Sequence, residues 1–185
     1  MMERRTINGQ CRFRRSDLRH DIDLTNAVLS AQPVRQSNQD MIMSWIRQAH
    51  DEQLALCSEL EEIADSLPAS VNRQKCIYAA KALCPLIRSI HQYEETVLFP
   101  HISQQQANSG PILATLSRLK FEHFEDEGYA EELTEALLRL GSGEPVNVEA
   151  VGYMLRGFFE GVRRHIAFEK AHLLHDYLPF SPISE

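Results

Sequence analysis

Apolar residues recur every three or four positions along four long stretches of the chain, and no segment alternates apolar and polar for long. A period near 3.6 marks an amphipathic helix and a period of two a strand, so the pattern predicts an all-α protein. The first stretch covers about residues 41–67 and stops where Pro68 disfavours helix in the residue before it. The second covers about residues 71–101, with Asn72 as N-cap and Pro100 expected to end or bend it. The loop Asn108-Ser109-Gly110-Pro111 leads to the third, about residues 112–140. Gly141-Ser142-Gly143-Glu144-Pro145 then closes that helix and opens the fourth, about residues 147–177.

Each stretch carries a seam of the kind that packs helices at shallow angles. In the first it reads Met43, Ile46, His50, Gln53, Cys57, Leu60; in the second Ile77, Ala80, Cys84, Ile87, His91, Glu94, Leu98. In the third it reads Leu116, Leu119, His123, Asp126, Ala130; in the fourth Leu155, Phe158, Val162, His165, Glu169. Every seam is interrupted by a histidine. The expectation is an up-down-up-down four-helix bundle over residues 39–180, preceded by an arm, residues 1–38, that is mostly irregular with room for a short helix near residues 23–30.

Short loops make neighbouring helices antiparallel, which lets positions along the bundle be compared. At 1.5 Å rise per residue the four histidines fall roughly 14–18 Å from the same end, within one helical turn of each other. His91 and His165 each have a glutamate four residues on, Glu95 and Glu169, so each pair presents an imidazole and a carboxylate on one helix face. A lone seam histidine is ordinarily a satisfied core residue, and a lone H-x-x-x-E an ordinary helical charge pair. Four histidines at one level, two with carboxylates, are poorly explained by four independent accidents. Buried together they are costly without a cation to balance them. Imidazole plus carboxylate suits Fe, Mn or Zn, and with no thiolate among these residues an iron–sulfur cluster is disfavoured. His50, His91, His123 and His165 are therefore the expected metal ligands. The roles of Glu94 and Asp126 stay open; Glu127, four residues past His123, reads as an outer or solvated group before a seventh ligand. His101, His172 and His175 read as peripheral and His20 lies in the basic arm; His172, His175 and Asp176 form at most a second small site near the bundle end.

Composition adds bounds. At 185 residues, 43% hydrophobic and 24% charged, the chain suits one globular domain with a tail. No apolar run approaches the roughly 20 residues of a membrane span, and no apolar segment follows the charged N-terminus as in a secretory signal. Four cysteines without C-x-x-C spacing favour a reducing, cytoplasmic setting. The net charge of −7 conceals six arginines against Glu3 and Asp17 in residues 1–20. Such an arm is ordinarily a solvated tail and can recruit an acidic protein partner; the acidic remainder argues against nucleic acid as the main ligand.

The segment His91-Gln-Tyr-Glu-Glu95-Thr-Val-Leu-Phe-Pro100, the Glu122-His123 dipeptide and His165-Ile-Ala-Phe-Glu169 together resemble the hemerythrin-like HHE cation-binding domain, over roughly residues 40–178. The resemblance implies two non-haem Fe ions held by His50, His91, Glu95, His123, His165 and Glu169. The two glutamates would bridge the ions, an oxo or hydroxo group would complete the bridge, and Mn or Zn could substitute. Oxygen-carrying hemerythrins use five histidines, whereas the i+4 partner of His123 here is Glu127, a candidate seventh ligand. Four histidines and two glutamates look more like the bacterial proteins that repair iron–sulfur clusters after nitrosative or oxidative stress. Those carry an N-terminal cysteine domain, where this sequence has only Cys11 in its arginine-rich arm.

The leading expectation is a cytoplasmic di-iron protein, monomer or homodimer, that binds or reacts with O2, NO or peroxide in stress response, sensing or iron handling. The alternatives are a di-iron oxidoreductase or peroxidase, or a metal-stabilised partner-binding module. No catalytic residue stands out, and a conventional enzyme is the less favoured reading.

Overall fold

The computed structural model describes residues 31–175, with side chains from residue 38 onward. By its contacts the chain divides into Met1–Gln36 and Ser37–Glu185, and the bundle belongs to the second unit. All regular structure among the described residues is helical. Helix α1 is Ala31–Ser66, α2 is Arg73–Tyr93, α3 is Phe99–Gln105, α4 is Gly110–Ser142 and α5 is Val148–His172. A single wide turn, Glu94–Leu98, joins α2 to α3, so the second rod of the bundle is α2, this turn and α3 together.

The boundaries follow capping chemistry. Asn72 accepts a hydrogen bond from the Lys75 N–H at 3.0 Å, and Asn147 accepts from the Ala150 N–H at 3.1 Å, each satisfying a donor that the helix leaves orphaned. Gly143 ends α4 at φ 81°, a left-handed position suited to glycine, with its N–H on Leu140 O and that of Glu144 on Arg139 O. Three boundaries differ from expectation. Helix α1 starts ten residues before residue 41, with Pro33 in its first turn, where a missing N–H costs little. Pro100 does not end the second rod. The wide turn ahead of it, closed by the Phe99 N–H on Glu94 O five residues back, absorbs the distortion a proline brings. The fourth helix ends at His172, short of the expected residue 177. Residues 1–30, with Cys11, His20 and the short helix expected near residues 23–30, lie outside the described residues, as does Asp176.

Two apolar cores fill the bundle. The larger includes Leu60, Leu83, Leu133, Leu155 and Phe158. The smaller includes Ile46, Leu98, Phe99, Leu119 and Leu174. Burying one such side chain contributes about 1.5–3 kcal/mol, so both cores hold the rods firmly. The α4 end comes so close to the start of α2 that a Cβ on Gly141 would lie 2.6 Å from Ile77 Cγ1 and 3.0 Å from Arg73 O. The buried polar side chains are His50, Gln53, His91, Glu94, His123, His165 and Glu169, and these seam positions fall between the two cores. The core is thus interrupted by one polar layer. No described helix is long and apolar enough to cross a membrane.

Candidate metal centre

Each long rod supplies one histidine: α1 His50, α2 His91, α4 His123 and α5 His165, all buried. Glu94 comes from the wide turn and Glu169 from the last turn of α5. Glu94, His123, His165 and Glu169 each bring one ligand atom to a point where all four lie within 4.8 Å of one another. Among the described residues, this is the group of histidine and acidic side chains placed to hold a cation.

Hydrogen bonding inside the layer is incomplete. Glu94 Oε2, His123 Nε2, His165 Nε2 and Glu169 Oε1 are buried and have no hydrogen-bond partner, as is His50 Nδ1. His123 Nε2 lies 3.2 Å from Glu94 Oε2, and His165 Nε2 3.7 Å from Glu169 Oε1, so the orphaned atoms crowd against one another. A native interior leaves few such groups, because each costs about 1–3 kcal/mol. Nitrogen and carboxylate atoms aimed at one another fit a cation that accepts all their lone pairs. His50 joins through Glu169, its Nε2 2.9 Å from Oε2, and His91 stacks on His123 with ring centres 3.9 Å apart.

The outward nitrogens of three of the four histidines have carboxylate partners. His91 Nδ1 lies 3.3 Å from Glu127 Oε1, His123 Nδ1 2.9 Å from Glu95 Oε1 and His165 Nδ1 3.2 Å from Glu122 Oε2. A carboxylate only accepts, so Nδ1 is the donor in each pair and Nε2 is the nitrogen offered to a cation. This outer ring of carboxylates is how metal-binding histidines are ordinarily held in tautomer and orientation.

Against this geometry the known families can be compared. The sequence model of the hemerythrin HHE cation binding domain matches residues 41–175, well over half the chain. The chain belongs to that family. Neither a curated protein nor a solved structure gives a significant match. The matched span holds all four seam histidines and Glu94, Glu95, Glu122, Glu127 and Glu169.

The electrostatics of this HHE domain fit a cation site. Burial, and then the positive charges of His123 and His165, push the His91 imidazole down to about 2. Burial also lowers His123, against its bond to Glu95. His165 is opposed by burial, but Glu169, Glu94 and Asp126 overcome it and raise the imidazole to about 9. Glu94 moves well above the usual carboxylate range through burial and the nearby Glu169. Glu169, although burial opposes it, is held low by His165 and His50. Without a cation, then, the surroundings favour a charged His165 and oppose charge on Glu94, and a bound cation would reverse both tendencies.

The structure brings His50, His91, His123, His165 and Glu169 into one layer, as expected of each, and sets Glu95 differently. Glu95 is half-buried on the outer side of His123, and Glu94 takes the buried place in the cluster. Sequence reading put Glu94 on the seam but gave it no ligand role; the spacing Ile87, His91, Glu94, Leu98 was the signal. Glu127 sits on His91 Nδ1, in the outer ring. Glu122 had no assigned role, and its contact with His165 comes from a different helix. Gln53 is buried in the layer with its Oε1 unpartnered. His101 lies on the rim beside Gln105, and His172 is exposed against Phe168.

Proposed function

We propose that this domain is a non-haem di-iron protein that binds or reacts with O2, NO or peroxide, in stress response, sensing or iron handling. The observation that carries the reading is the set of unpartnered nitrogen and carboxylate atoms of Glu94, His123, His165 and Glu169, buried within reach of one cation. Those four, with His50 and His91 beside them, would hold the metal. Four imidazoles and two carboxylates without thiolate suit iron, with Mn or Zn able to take the same donors. Two carboxylates with two oxygens each can serve a pair of ions, as helix bundles with carboxylate donors do. Bound iron would supply redox chemistry and coordination positions left open for a small ligand. The chain's own part is to hold the donors in one layer, between two apolar cores, with the Nε2 atoms of His91, His123 and His165 each fixed by the carboxylate behind the ring.

Purification without oxygen, reconstitution with Fe(II) and metal analysis test this directly. The expected result is about two iron atoms per chain and no haem spectrum. Less than about one per chain would remove the di-iron reading. Stopped-flow absorption of the reduced protein with O2, NO and peroxide then identifies which one reacts.

A further inference from the structure

A cleft of about 330 Å3 lies beside the metal centre between α4 and α5. Glu122, Glu125 and Asp126 line it from α4, and Gly161, Phe168 and the exposed Arg164 from α5, so that three carboxylates share it with Arg118 and Arg164. Of its lining residues only His165 is buried, so His165 marks its inner end. This imidazole spans from cleft to cluster. Its Nδ1 meets Glu122 on the wall at 3.2 Å, while its Nε2 is buried, without a hydrogen-bond partner, 3.7 Å from Glu169 Oε1. Arg118 crosses the cleft, its Nε donating to Glu122 Oε1 at 2.7 Å and its guanidinium 4.7 Å from the centre of the Phe168 ring.

We propose that this cleft is the port through which a hydrated divalent cation enters and leaves the buried centre, with Arg118 as its latch. The inference rests on the metal-binding reading of the same centre. Along the bundle axis the layer is bracketed by two apolar cores, and an ion cannot shed its water into hydrocarbon at tolerable cost. Sideways, three acidic side chains replace hydration ligands in turn before the ion reaches His165. Arg118 closes this path by neutralising Glu122 and by seating on Phe168; releasing it frees a carboxylate already in contact with a ligand histidine. Gly161 provides the opening, since a Cβ built there meets nothing within 4 Å.

That open space makes the port testable on the full chain with anaerobic Fe(II), following uptake and subsequent removal by a strong chelator. Gly161→Leu fills the cleft and is expected to bind as much iron as the natural chain at equilibrium, with uptake and removal each slowed by about tenfold or more. Gly161→Ala, adding one methyl group to open space, guards against a folding defect and should give an intermediate rate. Arg118→Ala should accelerate both processes. Gly128→Leu, which also enters open space but in a different cleft, should leave them unchanged. Natural rates in Gly161→Leu with full iron content would overturn the port, and natural rates in Arg118→Ala would overturn the latch. A natural chain that takes up no iron would defeat the metal-binding reading itself, a separate and recognisable failure.

Discussion

At the scale of single residues, Glu94 and Glu95 are neighbours with opposite surroundings. Glu94 is buried with an unpartnered oxygen, whereas Glu95 is half-buried and bonded to His123 Nδ1. On the proposed reading, removing Glu94 would take away a donor, and removing Glu95 the group that orients one. Losses of the second kind typically cost 10–100-fold in metal affinity, so Glu95→Ala should weaken iron binding by about that factor and Glu94→Ala by more. Competition with a chelator of known affinity checks the order, and a reversed order would give Glu95 the ligand place. Protonation follows from the same groups. In the metal-free protein His91 is lowered to about 2 and His123 is also lowered, so the unfolded chain takes up these protons first and stability falls as pH drops below about 6.5. Glu94 and Asp126, both raised, favour the folded state on the acid side, but they stand against His91, His123 and the lowered Glu169. His165, raised to about 9, acts at the other end: its contribution is full below about 6.5 and lost as pH rises through 9. Metal-free protein should therefore be most stable near pH 6.5, as measured by urea midpoints across pH. A metal ion held by His165 would displace its proton, so the loaded protein should lose the alkaline decline, and its metal affinity should fall on acidification.

At the scale of elements, the junctions between rods differ in how much change they tolerate. Asn147 caps α5 through one hydrogen bond to an exposed helix end, and Asn147→Ala should cost about 1 kcal/mol. Gly141 lies where α4 meets α2, with Ile77 Cγ1 and the Arg73 carbonyl inside the space a methyl group needs. Gly141→Ala must push the helices apart or move Ile77, at a cost of about 1–3 kcal/mol, despite alanine's better helix propensity. Urea unfolding should rank the two in that order, and iron content should stay unchanged in both, since neither position adjoins the histidine layer. The wide turn Glu94–Leu98 has a different role. It leaves Glu94 and Leu98 both facing inward across a proline-containing junction.

At the scale of the whole molecule, the bundle is two apolar cores joined through a polar layer. The cores stand without a metal, whereas the layer, with its orphaned atoms, would be completed by one. A metal ion that binds the folded chain and not the unfolded one should raise the thermal midpoint by mass action, by about 2.7 kcal/mol of stability at a hundredfold excess over the dissociation constant. Metal-free protein should keep most of its helical circular dichroism through the larger core around Leu60, Leu133 and Leu155. Hydrogen exchange should then show protection lost around His50, His91, His123 and His165 and retained near Leu60 and Leu133. Uniform protection with and without iron would make the layer an ordinary core.

The sequence by itself determined the helices and the histidine level. Periodicity sets which face of a helix turns inward, and His50, His91, His123 and His165 sit on seams whose lengths, at fixed rise, bring them to one height. Asn72 and Asn147 were legible as caps because their partners lie three residues away in the chain. The outer carboxylates were not legible. Glu122 meets His165 and Glu127 meets His91 across helix interfaces, and spacing along one helix carries no information about the lateral distance to another. The burial of Glu94 in the cluster, with Glu95 on the outer side of His123, was hidden for a related reason. An i+4 rule assumes a regular ladder, and the wide turn beginning at Glu94 breaks that ladder to accommodate Pro100 in a continuing rod. Local chemistry fixed the helices and their faces; the packing of four rods decided which atoms of those faces meet.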